Sequence, residues 1–391
     1  MSYTALARRY RSQDFDEVVG QEPIARTLKG AIEADRVAHA YLFTGTRGVG
    51  KTTMARIFAK ALCGDGVTDE VAAAVMSGQD TDVIEIDGAS NNSVDDAREL
   101  IANSGYRPMR GPYKIYIIDE VHMLSTAAFN ALLKTMEEPP EHVKFILCTT
   151  EAHKVPPTIQ SRCQRFDFRA IPTAVIAERL GTVVEQEKLE AEPDLLAMVA
   201  RLGQGSMRDA LSLLDRLMAS GEKTLTSSLL ESLLGLPPRE LVGKVIDAFA
   251  TGQPRAALEA ADELLTTNAS PEQLLDALIE RLRDLMVITA CGRETTLVDL
   301  TDDQRVEETE RASRFDAPAL VHMIALCESV QRSAKSSPNP RALLDALMVR
   351  LAVAEHLADV AGLVRALRAG GGAAVGGGGT PQLAGAGAGK A

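Results

Sequence analysis

The stretch Tyr41-Leu-Phe-Thr-Gly45-Thr-Arg-Gly48-Val-Gly50-Lys51-Thr52 constrains this chain of 391 residues more than any other. An apolar run suited to a buried strand leads into a glycine-rich loop and then into the first turn of a helix. Residues 45–52 fit the pattern G-x-x-x-x-G-K-[ST], whose spacing follows from phosphate chemistry. The glycines let the backbone curl so that its N–H groups wrap a phosphate chain. Lys51 would reach the β- and γ-phosphates, and the Thr52 hydroxyl would bind Mg²⁺. The helix expected over 53–62 would point its positive end at the same phosphates. The candidate cradle is therefore Gly45, Thr46, Arg47, Gly48, Val49, Gly50, Lys51, Thr52 and Thr53. A fortuitous glycine-rich turn is the alternative, but both the strand and the helix that the pattern requires flank the loop.

Further strands are expected at 82–87, 114–120, 143–150 and 165–169, with helices at 23–34, 69–76, 94–104 and 126–138 between them. Lys114-Ile-Tyr-Ile-Ile-Asp119 is almost continuously apolar, as a strand covered on both faces requires. Strands alternating with helices predict an α/β class with a doubly wound parallel sheet over 1–172. After Ile171-Pro172 the strand pattern ends. Residues 173–235 carry about three helices, broken at Glu192-Pro193 and Gly203-Gln-Gly205, and 236–368 are helical in pattern throughout, suited to a plain core or to a collar where subunits meet. Residues 369–391 hold ten Gly and seven Ala, a composition that buries too little surface to fold and predicts a flexible tail.

The formal charge of −12 excludes a generally basic nucleic-acid surface, although residues 1–60 carry ten Lys/Arg against six Asp/Glu. Nucleic-acid contact would have to be local. The cysteines Cys63, Cys148, Cys163, Cys291 and Cys327 are scattered, which fits a reducing compartment and no zinc site. His122 and His153 fall near the nucleotide motifs and are not expected to act as ligands or in catalysis. There is no apolar run of membrane-spanning length, and the N-terminus lacks the apolar core of a secretion signal, so a cytoplasmic protein is expected.

Asp119 and Glu120 end the apolar strand, where a doubly wound sheet presents its ligand-binding residues. Beside a phosphate loop, Asp119 would hold Mg²⁺ and Glu120 would polarise an attacking water, which favours hydrolysis over binding alone. Thr149-Thr150 close the neighbouring strand and would bring a hydroxyl near the γ-phosphate. Arg162 and Arg208 cannot be interpreted by pattern alone.

With these residues the chain resembles the AAA+ ATPases, and within them the gamma/tau family of the bacterial DNA polymerase III clamp loader. Leu6-Ala-Arg-Arg-Tyr-Arg11, Val18-Val-Gly-Gln21, the phosphate loop, Glu85-Ile-Asp-Gly-Ala-Ser-Asn-Asn92 and Ile118-Asp-Glu-Val-His-Met-Leu124 carry the resemblance. Asn130–Pro140, Ser161-Arg-Cys163 and Gly205-Ser-Met-Arg-Asp-Ala210 extend it. The match is dense over about 1–215 and thinner to about 352. It implies an AAA+ sheet domain at 1–172, a helical lid at 173–235 and a collar at 236–368. Arg162 would be an arginine finger acting in trans on a neighbour's nucleotide. Arg208 would be the lid arginine sensing the γ-phosphate of its own ATP, and Thr150 the sensor at the strand end. Ala7, Arg11, Val18 and Val19 would lie against the adenine, and Arg98 would be a candidate contact to the template backbone.

The implied activity is ATP-driven loading of a sliding clamp onto primer-template DNA, with delta, delta-prime and further gamma/tau copies as partners. The chain departs from the family in lacking the four-cysteine zinc module that follows the phosphate-loop helix, of which Cys63 alone remains. It resembles the short gamma form, so that helicase and polymerase tethering, which tau's further domains carry, would fall to another chain, and no polymerase active site is expected. The competing readings are a branch-migration helicase motor, a non-catalytic clamp-loader scaffold, against which the intact Lys51, Thr52, Asp119 and Glu120 count, and a P-loop nucleotide kinase.

Overall fold

A computed structural model describes residues 4–353 apart from 65, 66, 267, 268, 296 and 299. The expected tail at 369–391 and the end of the last helical stretch lie outside the described residues. Two compact units divide between Leu233 and Leu234.

The first unit opens with α1 (Leu6–Arg9) and α2 (Glu22–Glu33). It continues through β1 (Ala40–Thr44), α3 (Lys51–Leu62), α4 (Asp69–Ser77), β2 (Val83–Asp87), α5 (Val94–Ser104) and β3 (Lys114–Asp119). Then come α6 (Thr126–Glu137), β4 (Val143–Thr149), α7 (Pro157–Gln160) and β5 (Gln164–Asp167). The five strands form one sheet in the order β2-β3-β4-β1-β5, and every pairing is parallel. The doubly wound expectation therefore holds. Central β1 is buried at every position, and its side chains alternate between two cores, as a strand's two-residue period requires. Tyr41 and Phe43 meet Met54 and Phe58 of α3 together with Leu28 of α2, whereas Ala40 and Leu42 meet the side of the sheet covered by Leu100, Phe129 and Leu132. Tyr41 and Phe58 pack edge to face, with ring centroids 4.8 Å apart. Truncating a ring so enclosed costs about 3–5 kcal/mol, enough to decide whether β1 holds the loop that follows it.

The remaining elements of this unit are α8 (Thr173–Gln186), β6 (Glu190–Ala191), α9 (Pro193–Leu202), α10 (Met207–Met218), β7 (Thr224–Leu225) and α11 (Ser227–Leu234). Two expectations are corrected here. Four helices occupy the stretch rather than about three, and strand pairing does not end at Pro172, because β6 and β7 pair in parallel. A ladder of two residues per strand has no periodicity to read in a sequence. It is held by two backbone bonds flanking it, from Glu190 N–H to Lys223 O and from Glu192 N–H to Leu225 O, each 3.1 Å. The short α1 was also not foreseen.

The second unit is helical throughout its described residues: α12 (Arg239–Ala250), α13 (Pro254–Thr266), α14 (Pro271–Cys291), α15 (Asp302–Ala312), α16 (Ala317–Ala334) and a last helix over 340–353. Ser270 and Gln273 form a capping box around Pro271 at the start of α14, satisfying two amides the helix leaves without partners. Glu308 of α15 is fully buried, and one of its oxygens accepts from Arg239 and Arg281. A buried charge persists only when paired in this way.

Candidate active site

Beyond β1 the chain turns into the phosphate loop, and α3 starts at Lys51, two residues earlier than expected, capped by Gly50. Two glycines have no substitute there. A Cβ on Gly45 would come within 2.4 Å of the Phe168 carbonyl oxygen. Gly48 has φ +76°, and a Cβ on it would come within 1.8 Å of Ser206 Oγ. Ser206 caps α10, accepting from Asp209 N–H at 3.2 Å, and Arg208 N–H donates to Gly48 O at 3.4 Å. The lid thus closes directly onto the loop, through a contact that only glycine admits.

Lys51 is buried, and its ammonium donates to the carbonyls of Gly45 and Thr46, both at 2.8 Å. Burial pushes its pKa down, with the carboxylates of Glu120 and Asp119 among the groups opposing the shift. The Thr52 hydroxyl donates to Asp119 Oδ2 at 2.7 Å. Burial raises the pKa of Asp119, partly offset by hydrogen bonds from Thr52 and from the Glu120 N–H. A hydroxyl and a carboxylate oxygen side by side at the phosphate loop form the hard oxygen donor set that Mg²⁺ takes, so the residues fit that ion.

Glu120 follows β3 in a left-handed conformation, φ 45° and ψ 45°. A non-glycine residue held there costs of order 1–3 kcal/mol, and such strain clusters at functional sites. Its Oε2 accepts from the Thr150 hydroxyl at 3.0 Å and from the Thr150 N–H at 3.3 Å. His122 Nδ1 lies 3.4 Å from the same oxygen and 3.1 Å from Thr149 Oγ1. His122, which the sequence places near the nucleotide motifs, is therefore a neighbour of the candidate base.

A cavity of about 880 Å³ joins these groups. It is lined by Arg47 through Thr53 of the loop and α3, by Asp119 and Glu120, by Ala7, Arg11, Val18 and Val19, and by Arg208 of the lid. Several residues named from the sequence do not line it. Gly45 and Thr46 meet the ammonium of Lys51 through their carbonyls, and Thr150 reaches the site through Glu120. Arg162 lies elsewhere, donating to Thr158 O at 2.6 Å and pairing with Glu137. Arg98 is paired with Asp95 at 3.0 Å on an exposed helix face.

The Leu6–Arg11 region expected against the adenine also brings Arg8 and Tyr10 to the cavity, and further walls that the sequence did not name are Arg56, Ile171, Arg179, Met207 and Leu211. Arg56 forms a two-pronged pair with Glu85, 2.6 and 2.7 Å, and donates to Met76 O. The pKa of Arg11 is lowered by burial and by the nearby cations Arg56 and Arg208. The arrangement is an anion-binding pocket with two apolar walls, a hydroxyl–carboxylate pair and a second, strained carboxylate. It is equipped for a nucleoside triphosphate and for activating water.

Among the described residues no cluster of three or more His, Cys, Asp or Glu side chains could hold a metal ion. Nor is any helix of the described residues long and apolar enough to cross a membrane.

Three family models match in succession. They are described as DNA polymerase III, delta subunit, over residues 20–172; DNA polymerase III clamp loader subunit, ATPase lid domain, over 175–223; and DNA polymerase III subunits gamma and tau domain III, over 225–367. The Bacillus subtilis DNA polymerase III subunit tau is 41% identical over 366 residues, spanning 91% of this chain and 64% of that protein. The Buchnera aphidicola DNA polymerase III subunit gamma is 38% identical over 296 residues, 74% of this chain and 81% of the relative. The chain spans less than two thirds of the length of several tau and tau/gamma relatives. Among solved structures, the Thermotoga maritima RuvB Holliday junction branch migration motor aligns with a TM-score of 0.44 at 19% identity. That alignment covers 61% of this chain and 79% of the motor.

Proposed function

This chain belongs to the gamma/tau family of bacterial DNA polymerase III subunits, and on that premise we propose that it is an ATP-hydrolysing motor of a clamp loader. In the cytoplasm it would place a sliding clamp on primer-template DNA during replication. One observation carries the proposal: a single cavity is lined by the phosphate loop, by Asp119 and Glu120, and by Arg208 of the lid. A scaffold that did not hydrolyse ATP would have no use for Glu120 held under strain at that cavity.

ATP would lie with its adenine against Ala7, Arg11, Val18 and Val19 and its phosphates along residues 45–53. Lys51 and Arg208 would meet the β- and γ-phosphates. Thr52 and Asp119 would hold Mg²⁺, which when bound would neutralise phosphate charge. Glu120 would orient the attacking water and draw off its proton, with Thr150 fixing the carboxylate. Arg162, outside its own cavity, would serve the site of a neighbouring subunit, so that hydrolysis waits for assembly. Its pairing with Glu137 is no obstacle, since an ion pair of such exposure is worth about 0–1 kcal/mol. The units on either side of Leu233 would then serve as motor with lid and as collar.

The test is steady-state ATP hydrolysis by the chain mixed with delta and delta-prime subunits, with and without sliding clamp and primed DNA. Stimulation that needs both clamp and DNA supports clamp loading. Equal hydrolysis without either overturns it and leaves only a phosphate-loop ATPase.

A further inference from the structure

The wall of the cavity formed by residues 5–12 is shared between two parts of the first unit. Four residues are far too few for a helix to hold itself, isolated helices being marginal below about 12–15 residues, and α1 has no side-chain cap. Its fixings come from the lid. The Leu6 side chain is buried, and the Leu6 N–H donates to Asp215 Oδ2 of α10 at 3.3 Å. The guanidinium of Arg9 and the hydroxyl of Tyr10 both donate to one oxygen, Oε1 of Glu187, the residue that caps the C-terminus of α8.

Immediately downstream the chain is tied to the sheet domain instead. Ser12 Oγ donates to Glu17 O at 3.0 Å and Gln13 N–H to Glu17 Oε2 at 2.7 Å. Lys60 of α3 donates to Gln13 O at 2.6 Å and pairs with Asp14. Arg11, a residue of the cavity wall, sits between the lid-held and sheet-held segments.

Glu187 is also in the wrong place for its own helix. A helix C-terminus carries partial negative charge and favours cations, so a carboxylate there is explained by its partners rather than by α8. Asp215, in the last turn of α10, has the same mismatch and also holds α1.

We propose that Glu187 is a positioning residue for nucleotide binding: by holding Arg9 and Tyr10 it fixes the wall segment through Arg11 to the lid, so that lid placement and ATP occupancy are coupled. It touches neither phosphate nor reacting water, so its removal weakens ATP binding and leaves the hydrolytic step in place. The inference rests on the reading of the cavity as an ATP site.

The test compares wild-type chain with Glu187→Ala, Glu187→Gln and Tyr10→Phe. A fluorescent ATP analogue with Mg²⁺ gives Kd, and the assembled loader gives KM and kcat. Glu187→Ala should raise Kd and KM about tenfold, equivalent to about 1.4 kcal/mol, with kcat within about twofold. Glu187→Gln, which keeps an acceptor for Tyr10, should recover part of that loss, and Tyr10→Phe should show the same direction with a smaller effect. ATP should slow hydrogen exchange at residues 6–10 in wild type and not in Glu187→Ala. If wild type fails to bind the analogue, the ATP reading fails. If wild type binds it and Glu187→Ala binds equally well, or loses kcat with unchanged Kd, the positioning role is wrong while the ATP reading stands.

Discussion

The contact between Gly48 and Ser206 gives the sharpest quantitative test of how the lid meets the phosphate loop. Gly48→Ala would leave an L-residue at φ +76° and bring its Cβ within 1.8 Å of Ser206 Oγ. A left-handed L-residue costs about 1–2 kcal/mol. Ser206 would have to turn away, losing its cap on Asp209 N–H, and an N-cap is worth about 1 kcal/mol. The total is about 2–3 kcal/mol, which lowers Tm by roughly 5–10 °C for a folding unit of this size.

Ser206→Gly removes the obstructing atoms, and Gly at an N-cap costs only a few tenths of a kcal/mol. The double variant should therefore keep the backbone strain but not the clash, with a coupling energy of about −1 kcal/mol. Calorimetry on the four chains measures this directly. A double variant no more stable than Gly48→Ala, with the single effects simply adding, would refute a contact between lid and loop.

Two other variants probe the charges around the cavity. Because burial raises the folded-state pKa of Asp119, the stability it contributes is present below its unfolded value and lost as pH rises through the folded one. Asp119→Asn should accordingly raise Tm at pH 7 in the absence of nucleotide, by a margin that shrinks toward the acidic carboxylate range, while hydrolysis is lost; a lower Tm at pH 7 would contradict it. Glu85→Ala leaves Arg56 without its two-pronged partner. With side chains only 13% and 18% exposed, the pair's loss should cost about 2–3 kcal/mol, and a Tm within 2 °C of wild type would show that the pair is idle.

The sequence carried most of what builds the site because its signals are local. The phosphate loop's glycines, the apolar run ending at Asp119 and Glu120, and the alternation of strands with helices all lie within windows that periodicity and turn chemistry can resolve. Arg11, Val18, Val19 and Arg208 came from family resemblance, and the structure gathers all four at the cavity.

What stayed hidden depends on pairings between distant positions. Tyr10 meets Glu187 from 177 residues away, Gly48 meets Ser206 across the closed lid, and β6 pairs with β7 over only two residues. His122 has no role expected from the sequence, and the left-handed turn at Glu120 sets it beside that carboxylate. Arg56 and Arg179 look like ordinary solvated helix cations until the fold turns them toward the cavity. No periodicity marks such residues.

An active site completed by a neighbour makes hydrolysis a property of the assembly, and two variants should separate its halves. Lys51→Ala should remove a subunit's own phosphate grip and leave its Arg162, whereas Arg162→Ala should leave its own pocket intact and deprive the next. Each variant alone, assembled with delta and delta-prime subunits, sliding clamp and primed DNA, should hydrolyse ATP at a small fraction of the wild-type rate. Mixed before assembly, the two should regain substantial clamp- and DNA-dependent hydrolysis, because Lys51→Ala subunits lend Arg162 to the intact pockets beside them. Mixed complexes that stay as inactive as the separate variants, or an Arg162→Ala complex as active as wild type, would contradict the shared site.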